Sequence, residues 1–220
     1  MKYYIITYNK APMGESGECC KSKYDFENAC DFCGTGAKLE GNLKVKGFAR
    51  ANKDFFMTLD GDFIISKRFY EIIKLEITNF LLKPVVDNKN NILDFYHFYS
   101  TNTLPKFEKE STGYSIDGQC KHCTRNGYFN HAIIGDSAKN TPTIISPLEL
   151  VYKKETFESY KGDFILKTWE CIGYSNKTAY GNNIVGYARP WILIREDIKF
   201  QFEKERIKGI EYEEIILRED

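Results

Sequence analysis

The sequence predicts an α+β fold, a mixed and β-rich single domain spanning 1–220, built as two strand–helix–strand halves joined around a pair of cysteine knuckles. Three observations predict it. Short runs of β-branched and aromatic residues recur along the chain and suit strands. Twice, near residues 63–86 and 190–217, such a run passes into a stretch of helical spacing or dense charge and then into a second extended run. Two Cys-x-x-Cys pairs, Cys30/Cys33 and Cys120/Cys123, stand far apart.

Residues 2–9 are aromatic and β-branched and read as a first strand. Pro12, Gly14, Ser16 and Gly17 then mark a loop leading to the first cysteine pair. At 63–65 a short apolar run is followed by Ser66 as N-cap, and Phe69, Ile72, Ile73 and Ile77 recur at helical spacing. An extended segment, 79–86, follows and contains Pro84. Residues 92–100 and 128–134 are aromatic and extended, and 163–174 reads as a longer strand or hairpin arm. Ser146-Pro147-Leu148-Glu149 has Ser at the cap, Pro at the first position and Glu completing a capping box, which predicts a short helix. Further on, Pro190 precedes an apolar run at 191–194, a charged segment fills 195–206, and 209–217 alternates. Within the charged segment, Ile198, Phe200 and Phe202 fit a strand as readily as a helix. Placing Ile77 opposite Ile207 also sets Phe80 opposite Ile210, Leu82 opposite Tyr212 and Val85 opposite Ile215. Residues 1–110 and 111–220 are therefore candidate pseudo-repeat halves, although apolar strands resemble one another by construction.

Composition narrows the function. A chain of 220 residues, 42% of them hydrophobic, can form a sizeable core, and 16 Phe with 15 Tyr predict one rich in rings. Basic and acidic residues number 31 each and form no like-charge block. That argues against a nucleic-acid partner, because phosphate binding draws on clustered Lys and Arg. The first residues lack the apolar stretch of a signal peptide, and no window approaches the roughly 18 apolar residues of a membrane helix. The expected compartment is the cytoplasm, with no membrane partner. In a reducing compartment the seven cysteines read as thiols or metal ligands, and an odd number fits poorly with a closed disulfide framework.

Cys30-Asp-Phe-Cys33-Gly34 is the sharpest motif. Two residues between thiolates let both sulfurs reach one ion while the turn amides point towards them, and Gly34 permits a positive φ. Cys120-Lys-His-Cys123 repeats the spacing, with Thr124 where the first knuckle has Gly34. Together Cys30, Cys33, Cys120 and Cys123 make a candidate tetrahedral site for one structural zinc per chain, with no open position for catalysis. Buried thiols without metal, a redox pair or an iron centre are the alternatives. His122 reads as a flanking residue, because the adjacent thiolates fit better. His97 and His131 read as core or surface histidines, Cys19 and Cys20 as loop thiols, and Cys171 as a core cysteine.

Catalytic signatures are missing from the sequence: it has no HExxH, GxSxG or Walker loop. Gly34-Thr-Gly36 lacks the third glycine of a dinucleotide fingerprint and follows a knuckle rather than a strand. Asp60-Gly61-Asp62 reads as a turn before a strand.

These motifs resemble the double-CXXCG family, small bacterial proteins of which some look like immunity partners of polymorphic or contact-delivered toxins. The resemblance rests on Cys30-x-x-Cys33-Gly34, the second pair at Cys120 and Cys123, and the intervening Phe63-Ile-Ile-Ser66-Lys-Arg-Phe69 with the helix and extended segment behind it. It runs in order over about residues 1–130. The family knuckle commonly reads Cys-Pro-x-Cys-Gly, whereas here Asp31 replaces the proline and the second pair lacks its glycine. The resemblance implies zinc ligation by the four cysteines and a non-enzymatic immunity protein that neutralises a cognate protein toxin by binding it, without a small-molecule substrate. A zinc-ribbon nucleic-acid-binding or regulatory protein is the first alternative, and the neutral charge speaks against it; an enzyme whose site residues converge only in space is the second.

Overall fold

A computed structural model describes residues 2–8, 10–48, 53–74, 82–130, 147–177 and 184–219. From the N-terminus, β1 (Tyr3–Tyr8) is followed by β2 (Phe55–Met57), β3 (Phe63–Ser66), α1 (Lys67–Ile73), β4 (Pro84–Val86) and β5 (Ile92–Phe98). Later come β6 (Tyr114–Ile116), β7 (Tyr128–Asn130), β8 (Ile165–Ile172), β9 (Arg189–Arg195), α2 (Glu196–Lys204) and β10 (Ile210–Glu214). Short two-stranded pairs and 3-10 turns fill the connections. The fold is β-rich with few helices, as the α+β expectation requires.

In the smaller sheet the order is β2-β3-β5-β4, antiparallel throughout. The larger sheet runs β6-β7-β8-β9-β1-β10, with only the β7–β8 pair parallel. Each helix follows directly on a strand, and the strand after it returns to the same sheet with one place left open. β5 fills that place between β3 and β4, and β1 fills it between β9 and β10. The two strand–helix–strand segments therefore share one topology. The filler strand follows its segment in the first case and precedes it by most of the chain in the second.

Local chemistry explains both helices. Ser66 Oγ accepts the Phe69 N–H at 3.1 Å and caps α1. Phe69 and Ile73, one turn apart, are buried and Ile72 is half-buried, whereas Ile77 lies outside the described residues. In α2, Ile198 and Phe202 are buried while Phe200 is 67% exposed. A strand would have set all three on one face, so this split resolves the charged segment as helix.

The helix expected from Pro147 does not form. Leu148, Leu150 and Tyr152 all enter one apolar cluster, and the Glu149 backbone pairs with that of Thr112 at 3.0 and 2.9 Å. An extended backbone sends three alternate side chains to one side, which a single helical turn would spread around its circumference. Ser146, the expected cap, lies outside the described residues, as do His131 and residues 79–81.

Side-chain alternation buries the larger sheet on both faces. Ile6, Ile192 and Ile194 meet Phe69, Ile73, Ile198 and Phe202 of the helices, together with Phe55 and Phe98 of the smaller sheet. Their neighbours Ile5 and Leu193 point the other way, towards Tyr3, Trp191 and Tyr152. Rings fill the shared core as expected, with Phe69 and Phe202 edge to face at 4.7 Å. Each fully buried side chain of this size contributes about 1.5–3 kcal/mol. No helix among the described residues is long and apolar enough to cross a membrane.

Candidate metal centre

The two cysteine loops are built alike. In the first, the Gly34 N–H donates to the Cys30 carbonyl at 2.8 Å; in the second, the Thr124 N–H donates to the Cys120 carbonyl at 2.9 Å. The closing residue is left-handed in both, with φ of 81° at Gly34 and 54° at Thr124. Although Thr124 stands where the first knuckle has glycine, the backbone of the second repeats the first. A β-branched residue at positive φ is strained, and its surroundings hold Thr124 there. Gln119 Nε2 donates to its carbonyl at 3.1 Å, Lys106 Nζ to its hydroxyl at 3.3 Å, and that hydroxyl to the Cys123 carbonyl at 2.7 Å.

Strands late in the chain press the loops together. The Cys171 N–H of β8 donates to the Arg125 carbonyl at 2.6 Å, and the Gly127 N–H to the Gly173 carbonyl at 2.8 Å. Arg125 Nε donates to the Trp169 carbonyl at 3.1 Å. On the other side, Tyr187 OH donates to the Ala37 carbonyl at 2.7 Å and Lys177 Nζ to the Asp31 carbonyl at 3.3 Å.

As a result the sulfurs meet. Cys30 Sγ lies 3.9 Å from Cys120 Sγ and Cys33 Sγ 3.6 Å from Cys123 Sγ, and all four fall within 4.8 Å of one another. None is in a disulfide, which needs about 2.05 Å. Sulfurs at the corners of a tetrahedron with metal–sulfur bonds of about 2.3 Å are about 3.8 Å apart, so the donor set fits one metal ion. Burial pushes the Cys33 and Cys123 thiols up. Burial acts the same way on Cys120, but the Cys123 and His122 amides together with the Cys33 and Cys123 thiols outweigh it and bring that thiol down to about 7. A cation between the sulfurs favours the thiolate form of all of them. His122 is exposed and stacks on Phe32, as a flanking residue rather than a member of the sulfur cluster.

The remaining cysteines stand apart. Cys171 is buried in β8, and burial pushes its thiol up to about 12. Cys19 is exposed and donates to Asp60 Oδ1 at 2.8 Å, a bond that pushes its thiol up to about 12. Cys20 is buried nearby.

The sequence reading missed a buried ionic cluster. Asp62 is more than a turn residue: Arg189 donates to its two oxygens at 3.2 and 2.9 Å and to those of Glu18 at 3.0 and 2.9 Å. Ser16 Oγ donates to Asp62 Oδ2 at 2.6 Å. Burial alone would push the Asp62 carboxyl up, but the Arg189 guanidinium holds it below its ordinary value. His97 Nε2 lies 3.7 Å from Asp62 Oδ1, while burial pushes the imidazole down to about 4 and keeps it neutral. These partners come from positions 127 and 171 residues away from Arg189, and no local pattern announces them.

No model of a known protein family matches the chain. No curated protein matches it either.

Proposed function

We propose that this chain is a non-enzymatic immunity protein of the double-CXXCG kind, which folds around one structural zinc and neutralises a cognate bacterial toxin by binding it. The closed four-sulfur cluster carries this reading. Cys30, Cys33, Cys120 and Cys123 would fill all four positions of the ion, so the metal would tie loops together and touch no substrate. Soft thiolates at tetrahedral spacing suit zinc. Such a tie between distant segments supports a rigid surface, and a rigid surface binds a protein partner at low ordering cost. Phe32, 64% exposed at the centre, is the kind of aromatic side chain that anchors such contacts.

The same reading takes the two halves as copies of one unit. In chain order, β1, a cysteine loop, β2, β3, α1 and β4 are matched by β5, a cysteine loop, β8, β9, α2 and β10. The filler strands β1 and β5 are exchanged between the copies, so the division falls before β5 instead of at residue 110.

Co-expression with the toxin-like product of a neighbouring gene in a sensitive host, followed by co-purification, tests the function. Rescue accompanied by a stable complex is expected. Failure to rescue or bind any neighbouring product, together with sequence-independent RNA or DNA binding at physiological salt, would favour the zinc-ribbon nucleic-acid alternative.

A further inference from the structure

Between the two sheets, beside the first cysteine loop, lies a cavity of about 320 Å³, within the range of small-molecule sites. Its walls are largely apolar and aromatic, with Leu39, Leu43, Phe63, Phe98, Pro190 and Ile192 among them. Its charged groups are mostly basic. Lys38, Lys83 and Lys167 all line it, and none of the three ammonium groups has a carboxylate partner among the described residues. Among the described residues Asp62 is the one lining carboxylate, and it is already held by Arg189 at 2.9 Å and by Ser16 at 2.6 Å. Arg189 is in turn occupied by Asp62 and Glu18. One guanidinium thus faces two carboxylates, so this cluster carries one net negative charge, and the three lysines still leave the cavity net positive.

We propose that this cavity binds a small organic anion, a carboxylate or phosphate carrying an aromatic or branched apolar body. The body would lie against the apolar wall, and the acid group would face Lys167 and Lys83. Both lysines stand close to His97: the His97 N–H donates to the Lys83 carbonyl at 2.9 Å, and both ammonium groups repel a protonated His97. Lys167 is pinned through its backbone, its N–H donating to the Asn102 carbonyl at 3.0 Å. Burial pushes its ammonium down, and Arg125 and Lys38 add repulsion; a bound anion relieves that repulsion. Lys83 and Lys167 are half-buried and Lys38 is exposed; an ammonium partly withdrawn from water gains from a counter-charge, which the ligand would supply.

Isothermal titration of the purified full chain tests this, with benzoate and phenyl phosphate as probes, benzamide as the neutral control and inorganic phosphate as the anion without a body. One or both organic anions should bind with Kd below about 1 mM, and their relative affinity distinguishes carboxylate from phosphate. Benzamide and inorganic phosphate should bind at least about tenfold more weakly, and Lys167→Met and Lys83→Met should each weaken binding by about tenfold, the scale of one lost charge-assisted hydrogen bond. Circular dichroism establishes that each variant is folded, and Lys83→Met decides alone if Lys167→Met is not. Absence of binding by both organic anions, equal binding of benzamide, or unchanged affinity in the folded variants would overturn the proposal.

Discussion

The ring of Phe32 lies flat on the imidazole of His122, with centroids 3.2 Å apart and planes 3° from parallel. These are matching positions of the two cysteine loops, so the stack joins at their tips what the sulfurs join at their base. Ring pairs of this kind contribute about 0.5–1.5 kcal/mol. Phe32→Ala is expected to keep the metal but to release it faster, by about two- to tenfold, to a chromogenic chelator. An unchanged release rate would mean that the stack does not secure the loops.

Purified protein is expected to contain about one zinc per chain by elemental analysis. Cys33→Ser and Cys120→Ser should each lose the metal and lower the melting temperature, because metal binding and folding are coupled. A well-folded, metal-free protein that melts at the same temperature with either substitution would remove the metal centre.

Thr124 at φ 54° is a strained residue in a glycine position. Thr124→Gly is expected to stabilise the fold by up to about 1 kcal/mol, the left-handed penalty less the entropy cost of glycine. Gly34→Ala should destabilise it, because a Cβ there would lie 2.9 Å from Lys177 Cγ and 3.3 Å from Phe26 Cε1. Denaturant melts measure both effects, and equal loss in the two variants would contradict the assignment.

Ile73 is 2% exposed within the shared core. Ile73→Ala should cost about 2–5 kcal/mol in the same melts; a loss below 1 kcal/mol, well under that range, would show a poorly packed helix face.

Glu170 is 1% exposed. The Phe107 N–H donates to its Oε1 at 3.2 Å, and burial pushes the carboxyl from 4.5 up to about 7. A raised folded-state value means that its stabilising contribution is complete below the unfolded value and is lost as pH rises through the folded one. Between pH 4.5 and 7 this amounts to roughly 3 kcal/mol. His97, depressed to about 4, acts in the opposite sense in the same window, losing stability as pH falls. The informative quantity is therefore the difference between wild type and Glu170→Gln, which should grow in favour of the variant as pH rises. A flat difference would rule the effect out.

What the sequence revealed was local. Helix α1 could be read because its cap, Ser66, and its buried period, Phe69 and Ile73, lie within one short segment. The cysteines could be read because the two-residue spacing is itself the geometry of a metal loop, whereas the left-handed turn at Thr124 could not, because Gln119 and Lys106 bond it from outside the motif. Pro147 misled because the pull of Leu148, Leu150 and Tyr152 into the core overrides a good capping box. Arg189 was invisible because every carboxylate it touches comes from the other half of the chain.

β1 lies between β9 and β10 in the larger sheet, and this placement bears on how the chain is made. A ribosome releases Tyr3–Tyr8 long before it has polymerised either neighbour, at Arg189–Arg195 and Ile210–Glu214. Until those residues are made that strand has both edges bare, a condition that invites pairing with other chains. Its pairings join residues 3–8 to 192–195 and 210–214, far along the sequence, which favours slow folding. A nascent chain stalled before residue 189 would lack both of its neighbours, so the larger sheet can close only after Ile210–Glu214 has been made.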